Sequence, residues 1–94
     1  MPATEISDSV LPRLAKGVRL EVDRATGNGV LLYPEGIIEL NETAHEILAR
    51  CDGRTVAEIV RELAEEYEAD PAALAIDVCE ALTQLQQRKL IEIT

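Results

Sequence analysis

The chain has 94 residues, with 9 Lys+Arg against 18 Asp+Glu and a formal charge of −9, which leaves room for one domain. Apolar residues make up 47% of it but aromatics only 2%, two Tyr with no Phe or Trp, so the core must be aliphatic, and the ring platforms on which proteins stack nucleic-acid bases are missing. Cys51 and Cys79 stand far apart with no second Cys or His near either, which excludes a disulfide framework and a zinc ribbon.

The first residues lack a basic stretch followed by an apolar one, and no run approaches the roughly 18 apolar residues of a membrane span. A cytoplasmic location is expected, with no membrane partner. Most of the acidic excess lies from Asn41 onward, where it opposes phosphate backbones and anionic lipid.

Residues 1–16 show no sustained period and contain Pro2 and Pro12, so they are expected to form a flexible N-terminal arm, with one domain over 17–94. In Val18-Arg19-Leu20-Glu21-Val22-Asp23 apolar and charged residues alternate, the period of a strand with one buried face. Thr26-Gly27-Asn28-Gly29 supplies a reversal, and Val30-Leu31-Leu32-Tyr33 a second strand. Pro34-Glu35-Gly36 turns the chain into a third, Ile37-Ile38-Glu39-Leu40. Such short links predict an antiparallel meander whose first and third strands are edges.

At Asn41 the period changes from two to 3.6. Asn41 is the expected N-cap, and Ala44, Ile47, Leu48 and Cys51 fall on one face of helix one. Asp52-Gly53-Arg54 ends it. Thr55-Val56-Ala57-Glu58 fits a capping box opening helix two, whose apolar face is Val56, Ile59, Val60, Leu63, Ala64 and Tyr67. Asp70-Pro71 gives helix three an acidic N-cap and a proline at its first position. That helix carries Leu74, Val78, Leu82 and Leu85 on one side, with Asp77, Glu80, Gln84 and Gln87 on another, and ends near Arg88-Lys89. Leu90-Ile91-Glu92-Ile93 reads equally as a helix tail or an extended end. The predicted fold is α+β, a three-stranded antiparallel sheet followed by a three-helix bundle in a winged-helix-turn-helix-like order.

Function classes can be removed on residue chemistry. The single histidine, His45, has no second His to share a metal. Both cysteines lie on apolar faces without a base that would make a thiolate, and Gly27-Asn28-Gly29 is too short to cradle a phosphate. No catalytic or metal site is expected. Asp8-Ser9-Val10-Leu11 resembles the attachment site of acyl carriers, but Ser9 lies in the arm with Pro12 close behind, and a strand-rich middle does not suit a helical carrier. Helix-turn-helix order suggests DNA binding, yet the exposed faces of helices two and three carry Glu, Asp and Gln where a duplex needs Lys and Arg.

Protein or peptide recognition remains. The third strand is an edge with one row of unpaired N–H and C=O groups, to which an extended peptide could add. Helix three, through Val78, Ala81, Leu82 and Leu85, can supply a second wall. A winged-helix-like regulator or scaffold with another protein partner is the alternative reading.

Five blocks, taken in order, carry a resemblance: Gly17-Val18-Arg19-Leu20; Leu31-Leu32-Tyr33-Pro34-Glu35-Gly36; Leu40-Asn41-Glu42-Thr43-Ala44 with Ile47-Leu48; Asp52-Gly53-Arg54-Thr55-Val56; and Asp77-Val78 with Leu82. Over nearly all of residues 12–91 the chain resembles the PqqD family of pyrroloquinoline quinone biosynthesis. The resemblance implies a peptide chaperone that binds the ribosomal precursor peptide PqqA and presents it to PqqE, a radical-SAM enzyme that cross-links a Glu and a Tyr of that peptide. It implies a peptide site at Gly36, Ile37, Ile38, Glu39 and Leu40 with the Asp77, Val78, Ala81, Leu82, Leu85 face of helix three. The cofactor and iron-sulfur clusters would belong to the enzyme, so no cofactor is expected here. The family more often ends helix three with a glycine where this chain has Arg88-Lys89.

Two further expectations follow. Leu82→Asp should abolish peptide binding with the helices intact, and the acidic helix faces, through Glu58, Glu62 and Glu65, should meet the enzyme. A monomer is expected, or a weak homodimer in which the arm is exchanged.

Overall fold

The computed structural model of the chain describes residues 6–94. Its elements run β1 (Pro12–Leu14), β2 (Arg19–Val22), β3 (Gly29–Tyr33), β4 (Gly36–Glu39), α1 (Glu42–Ala49), α2 (Val56–Tyr67), α3 (Pro71–Gln87) and β5 (Ile91–Ile93). The predicted meander is present: β2, β3 and β4 form an antiparallel sheet in that order, with β2 and β4 as its edges. Three helices follow, giving the winged-helix-like α+β order. No helix among the described residues is long and apolar enough to cross a membrane.

The helix starts lie where their caps place them. Asn41 accepts from the Ala44 N–H at 2.7 Å and opens α1. At α2 the Glu58 N–H donates to Thr55 Oγ1 at 3.2 Å, while the Thr55 N–H donates to Glu58 Oε1 at 2.8 Å, both halves of a capping box. The Thr55 N–H, and with it the Thr55 hydroxyl at 3.2 Å, donate to the Glu58 carboxylate and hold it below its usual range. Asp70 caps α3 through the Ala72 N–H at 3.1 Å, with Pro71 at the first position. Helix α1 stops at Ala49, short of Cys51, which turns back into the core: its Sγ–H donates to the Ile47 carbonyl at 3.3 Å. Burial, reinforced by Asp52, pushes the Cys51 thiol up to about 12.

Side chains from every layer share one aliphatic core. Leu31 of the sheet, Ile47 of α1, Ile59 and Leu63 of α2, and Val78 and Leu82 of α3 are fully buried within it. Two apolar positions depart from the expected faces. Val22, at the far end of β2, is exposed, and Tyr67 leaves the apolar face of α2 to donate its hydroxyl to Glu42 at 3.3 Å. Arg50 ties α1 to α2 by pairing with Glu46 at 2.6 Å, Glu62 at 3.2 Å and Glu66 at 2.8 Å.

The irregular arm expected over 1–16 is corrected over its described part. Residues 12–14 are a strand, β1, paired antiparallel with β5 in the register Pro12↔Ile93 to Leu14↔Ile91, so of Leu90-Ile91-Glu92-Ile93 the last three residues are an extended end and Leu90 is the bend before it. Pro12 is buried. A proline suits this position because a three-residue strand with one partner needs few N–H donors. Upstream, the Val10 carbonyl accepts from the Val56 N–H at 3.1 Å and the Asp8 carbonyl from the Ala57 N–H at 3.0 Å. They satisfy first-turn donors of α2 that no residue of the helix can reach. The part of the arm over residues 1–5 lies outside the described residues.

Candidate peptide-binding groove

The β3–β4 connection is tight, Pro34-Glu35 between the paired residues Tyr33 and Gly36. At the other end of the ladder the Leu40 N–H donates to the Gly29 carbonyl at 2.9 Å. Antiparallel bonding alternates along a strand, so this one bond sets the phase. Gly36, Ile38 and Leu40 turn their backbone groups toward β3; Ile37 and Glu39 turn theirs to the free edge. Two N–H and two C=O groups of β4 are therefore directed away from the sheet.

The β4 side chains alternate in the opposite sense to water. Ile38 is half-buried against the core and Leu40 is buried, while Gly36 and Glu39 are exposed and Ile37 is 59% exposed. An isoleucine on an open edge is unusual, because edges are normally guarded by charge or proline.

A cleft of about 330 Å³ opens at Asn41, where β4 passes into α1, and reaches Arg88 at the end of α3. Asn41, Ala44 and Ile47 form its α1 wall. Asp77, Glu80, Ala81, Gln84, Leu85 and Arg88 form its α3 wall. The stripe follows from helical spacing: Asp77, Ala81, Gln84 and Arg88 stand three or four residues apart and share one face. None of Gly36–Glu39 lines the cleft, so edge and cleft adjoin at Leu40 and Asn41 rather than overlap.

The ten residues proposed from sequence thus divide by depth. Gly36, Ile37 and Glu39 are on the open edge, with Ile38 and Leu40 beneath it. Asp77, Ala81 and Leu85 face the cleft. Val78 and Leu82 have no accessible surface; they are the core beneath the α3 wall and cannot touch a ligand. Leu82→Asp is accordingly a lesion of the core, where an unpaired carboxylate is costly, and cannot leave the fold intact as expected. Sequence reasoning placed Glu80 and Gln84 on the polar side of the helix without assigning them to the site, and overlooked the α1 wall. The stripe spacing was the available signal for the first.

Two of the three acidic residues offered as an enzyme contact are already engaged within the chain. Glu58 closes the capping box, and Glu62 bridges Arg50 and Arg54, the latter at 3.0 Å. Glu65 is exposed on α2. A second hollow of about 570 Å³ runs along the outer side of α3 past Ile76 and Cys79, so Glu80 and Gln84 stand on a ridge between two depressions. Burial, then the Asp8 charge, raises the Cys79 thiol.

Fold and edge together define a winged-helix-like domain with an open edge strand beside a helical cleft. Comparison with known proteins gives that class a family. A family model described as Coenzyme PQQ synthesis protein D (PqqD) matches residues 28–91. The PqqA binding protein of Xanthomonas oryzae pv. oryzae (strain PXO99A) is 46% identical over 83 residues, 87% of this chain and 90% of that one. The Bifunctional coenzyme PQQ synthesis protein C/D of Methylorubrum extorquens is 40% identical over 90 residues, which are 95% of this chain and 24% of that protein. The solution NMR structure of the PqqD truncation of Methylobacterium extorquens PqqCD, described as a functional and stand-alone RiPP recognition element, superimposes with a TM-score of 0.82 at 41% identity, covering 95% of this chain and 96% of that one. The chain belongs to the PqqD family.

Proposed function

We propose that this chain is a non-catalytic peptide chaperone of pyrroloquinoline quinone biosynthesis, which binds the precursor peptide PqqA and presents it to the radical-SAM enzyme PqqE. The observation that carries the reading is the β4 edge, whose Ile37 and Glu39 backbone groups point outward beside the α1/α3 cleft. An extended peptide adds there as a fourth strand, its backbone bonded to those groups and its alternate side chains directed at Ala81 and Leu85. The 46% identity to a PqqA binding protein supports PqqA as the occupant. Holding a flexible peptide at an enzyme's entrance raises its local concentration, a task that needs no chemistry from the holder. On the enzyme side, Glu65 is the acidic residue of the three that is free to make a new contact.

Calorimetric titration with the PqqA peptide tests the reading. Saturable one-to-one binding is expected, lost in Ile37→Pro, which deletes one outward N–H and leaves the β3 ladder intact. An unaltered affinity in Ile37→Pro would remove strand addition. Co-elution of the chain with PqqE, weakened by Glu65→Lys, is the expected result for presentation; no complex with or without peptide would remove that step.

A further inference from the structure

The α3 wall of the cleft is electrically polarised. Asp77 and Glu80 line the part of it nearer the N-terminus of α3, and Arg88 closes the C-terminal end. Arg88 also lines a neighbouring cavity of about 400 Å³ with Lys16, Lys89, Tyr33, Pro34 and Glu35. Three of the chain's 9 cations therefore line that neighbouring cavity, together with Glu35, and Arg88 is the one of them that also lines the cleft. Among the described residues Asp77, Glu80, Lys16, Arg88 and Lys89 make no ion pair, as Arg19, Arg24 and Arg61 also make none, whereas Arg13, Arg50 and Arg54 do. Charges left unpaired at both ends of a cleft, with opposite sign, are the pattern that orients a ligand.

The same cavity fixes the sense of α3 relative to the edge. Tyr33, Pro34 and Glu35 are the turn that begins β4, so the cationic end of the groove lies by the start of β4, and the acidic end, farther back along α3, lies away from it. A peptide that continues the antiparallel sheet runs opposite to β4, from the acidic end to the cationic end.

We propose that the groove reads peptide direction by charge: it takes an extended segment with a Lys or Arg on the N-terminal side and an Asp or Glu on the C-terminal side, both facing α3. Glu80 and Arg88 are eight helical residues apart, about 12 Å. Four residues of strand cover about 13 Å and return to the same face. The cation and the anion are therefore four positions apart in the peptide, with an apolar side chain midway against Ala81 and Leu85. This inference rests on strand addition at β4 and specifies its ligand.

The test uses the whole chain and three synthetic peptides of one composition on a Val/Thr background, titrated in parallel with PqqA. One carries Lys at position i and Glu at i+4, the second has the two exchanged, and the third places them at i and i+3, on opposite faces. The first is expected to bind about tenfold tighter than either other, the size of one or two exposed ion pairs, and the gap should close at 1 M salt. In the Glu80→Lys/Arg88→Glu double variant the order of the first two should reverse. Equal binding of the first two peptides overturns the polarity and leaves the groove standing. Failure of the first peptide to bind while PqqA binds overturns it as well. Failure of PqqA alone, with the peptide order as expected, would instead count against the proposed partner.

Discussion

Leu11 and Thr94 hold the two ends of the described chain together: the Leu11 N–H donates to the Thr94 carbonyl at 2.9 Å and the Thr94 N–H returns to the Leu11 carbonyl at 3.1 Å. The pair closes the β1–β5 ladder, which covers Leu90 and Ile91, both 3% exposed. Deleting residues 91–94 removes the ladder, one buried isoleucine and the cover of Leu90. Burial of an aliphatic side chain is worth about 1.5–3 kcal/mol, so the truncated chain is expected to lose at least about 3 kcal/mol and to melt more than about 12 °C lower by circular dichroism. An unchanged melting temperature would show that the ladder is ornamental.

His45 lies across the first residue of β3. A Cβ at Gly29 would stand 2.7 Å from His45 Cγ, closer than real side chains approach. Gly29→Ala is therefore expected to cost about 1–3 kcal/mol through overpacking, and Gly29→Ala/His45→Ala to recover most of it. A double-mutant cycle in urea measures the coupling; additive losses would show that the ring simply swings away.

Two helix ends use the left-handed conformation without glycine. Glu68 closes α2 at φ 52° and Lys89 follows α3 at φ 62°, at a cost of about 1 kcal/mol each for a residue with a Cβ. Lys89→Gly is expected to stabilise by about 0.5–1 kcal/mol, read as a higher urea midpoint at unchanged m-value; a lower midpoint would mean that the lysine stem packs usefully.

Cys51 links stability to alkaline pH. Its thiol rises from an ordinary 9.0 to about 12 in the fold, so between those values the unfolded chain releases a proton that the folded chain keeps. The contribution is fully present below pH 9 and declines as pH rises toward 12. Relative to Cys51→Ala, the wild-type chain is expected to lose about 2 kcal/mol between pH 8 and 10.5 in urea melts. A constant difference would contradict the burial argument.

What the sequence made legible was local. The capping box at Thr55, the Asp70-Pro71 start and the alternation through Val18 and Leu20 each lie within a few residues, so pattern alone located α2, α3 and β2. The β1–β5 ladder was illegible for the opposite reason: its strands have three residues each, too short for a period, and Leu11 and Thr94 lie 83 positions apart. The site shows the same division. The edge position of β4 follows from two short turns and was readable, as was the polar stripe of α3. Which side of the α3 apolar face meets the ligand was not, because Val78 and Leu82 share a helical period with Ala81 and Leu85. Only packing against α2 and β5 separates the buried pair from the residues that reach the cleft.

The central claim is that a peptide adds to β4 as a strand, and amide hydrogen exchange read by NMR tests it most directly. On saturation with PqqA, the Ile37 and Glu39 amides, which face the free edge, are expected to slow by at least tenfold, while the Ile38 amide, already bonded to β3, changes little. Unaltered exchange at Ile37 and Glu39 in a saturated complex would place the peptide elsewhere on the molecule.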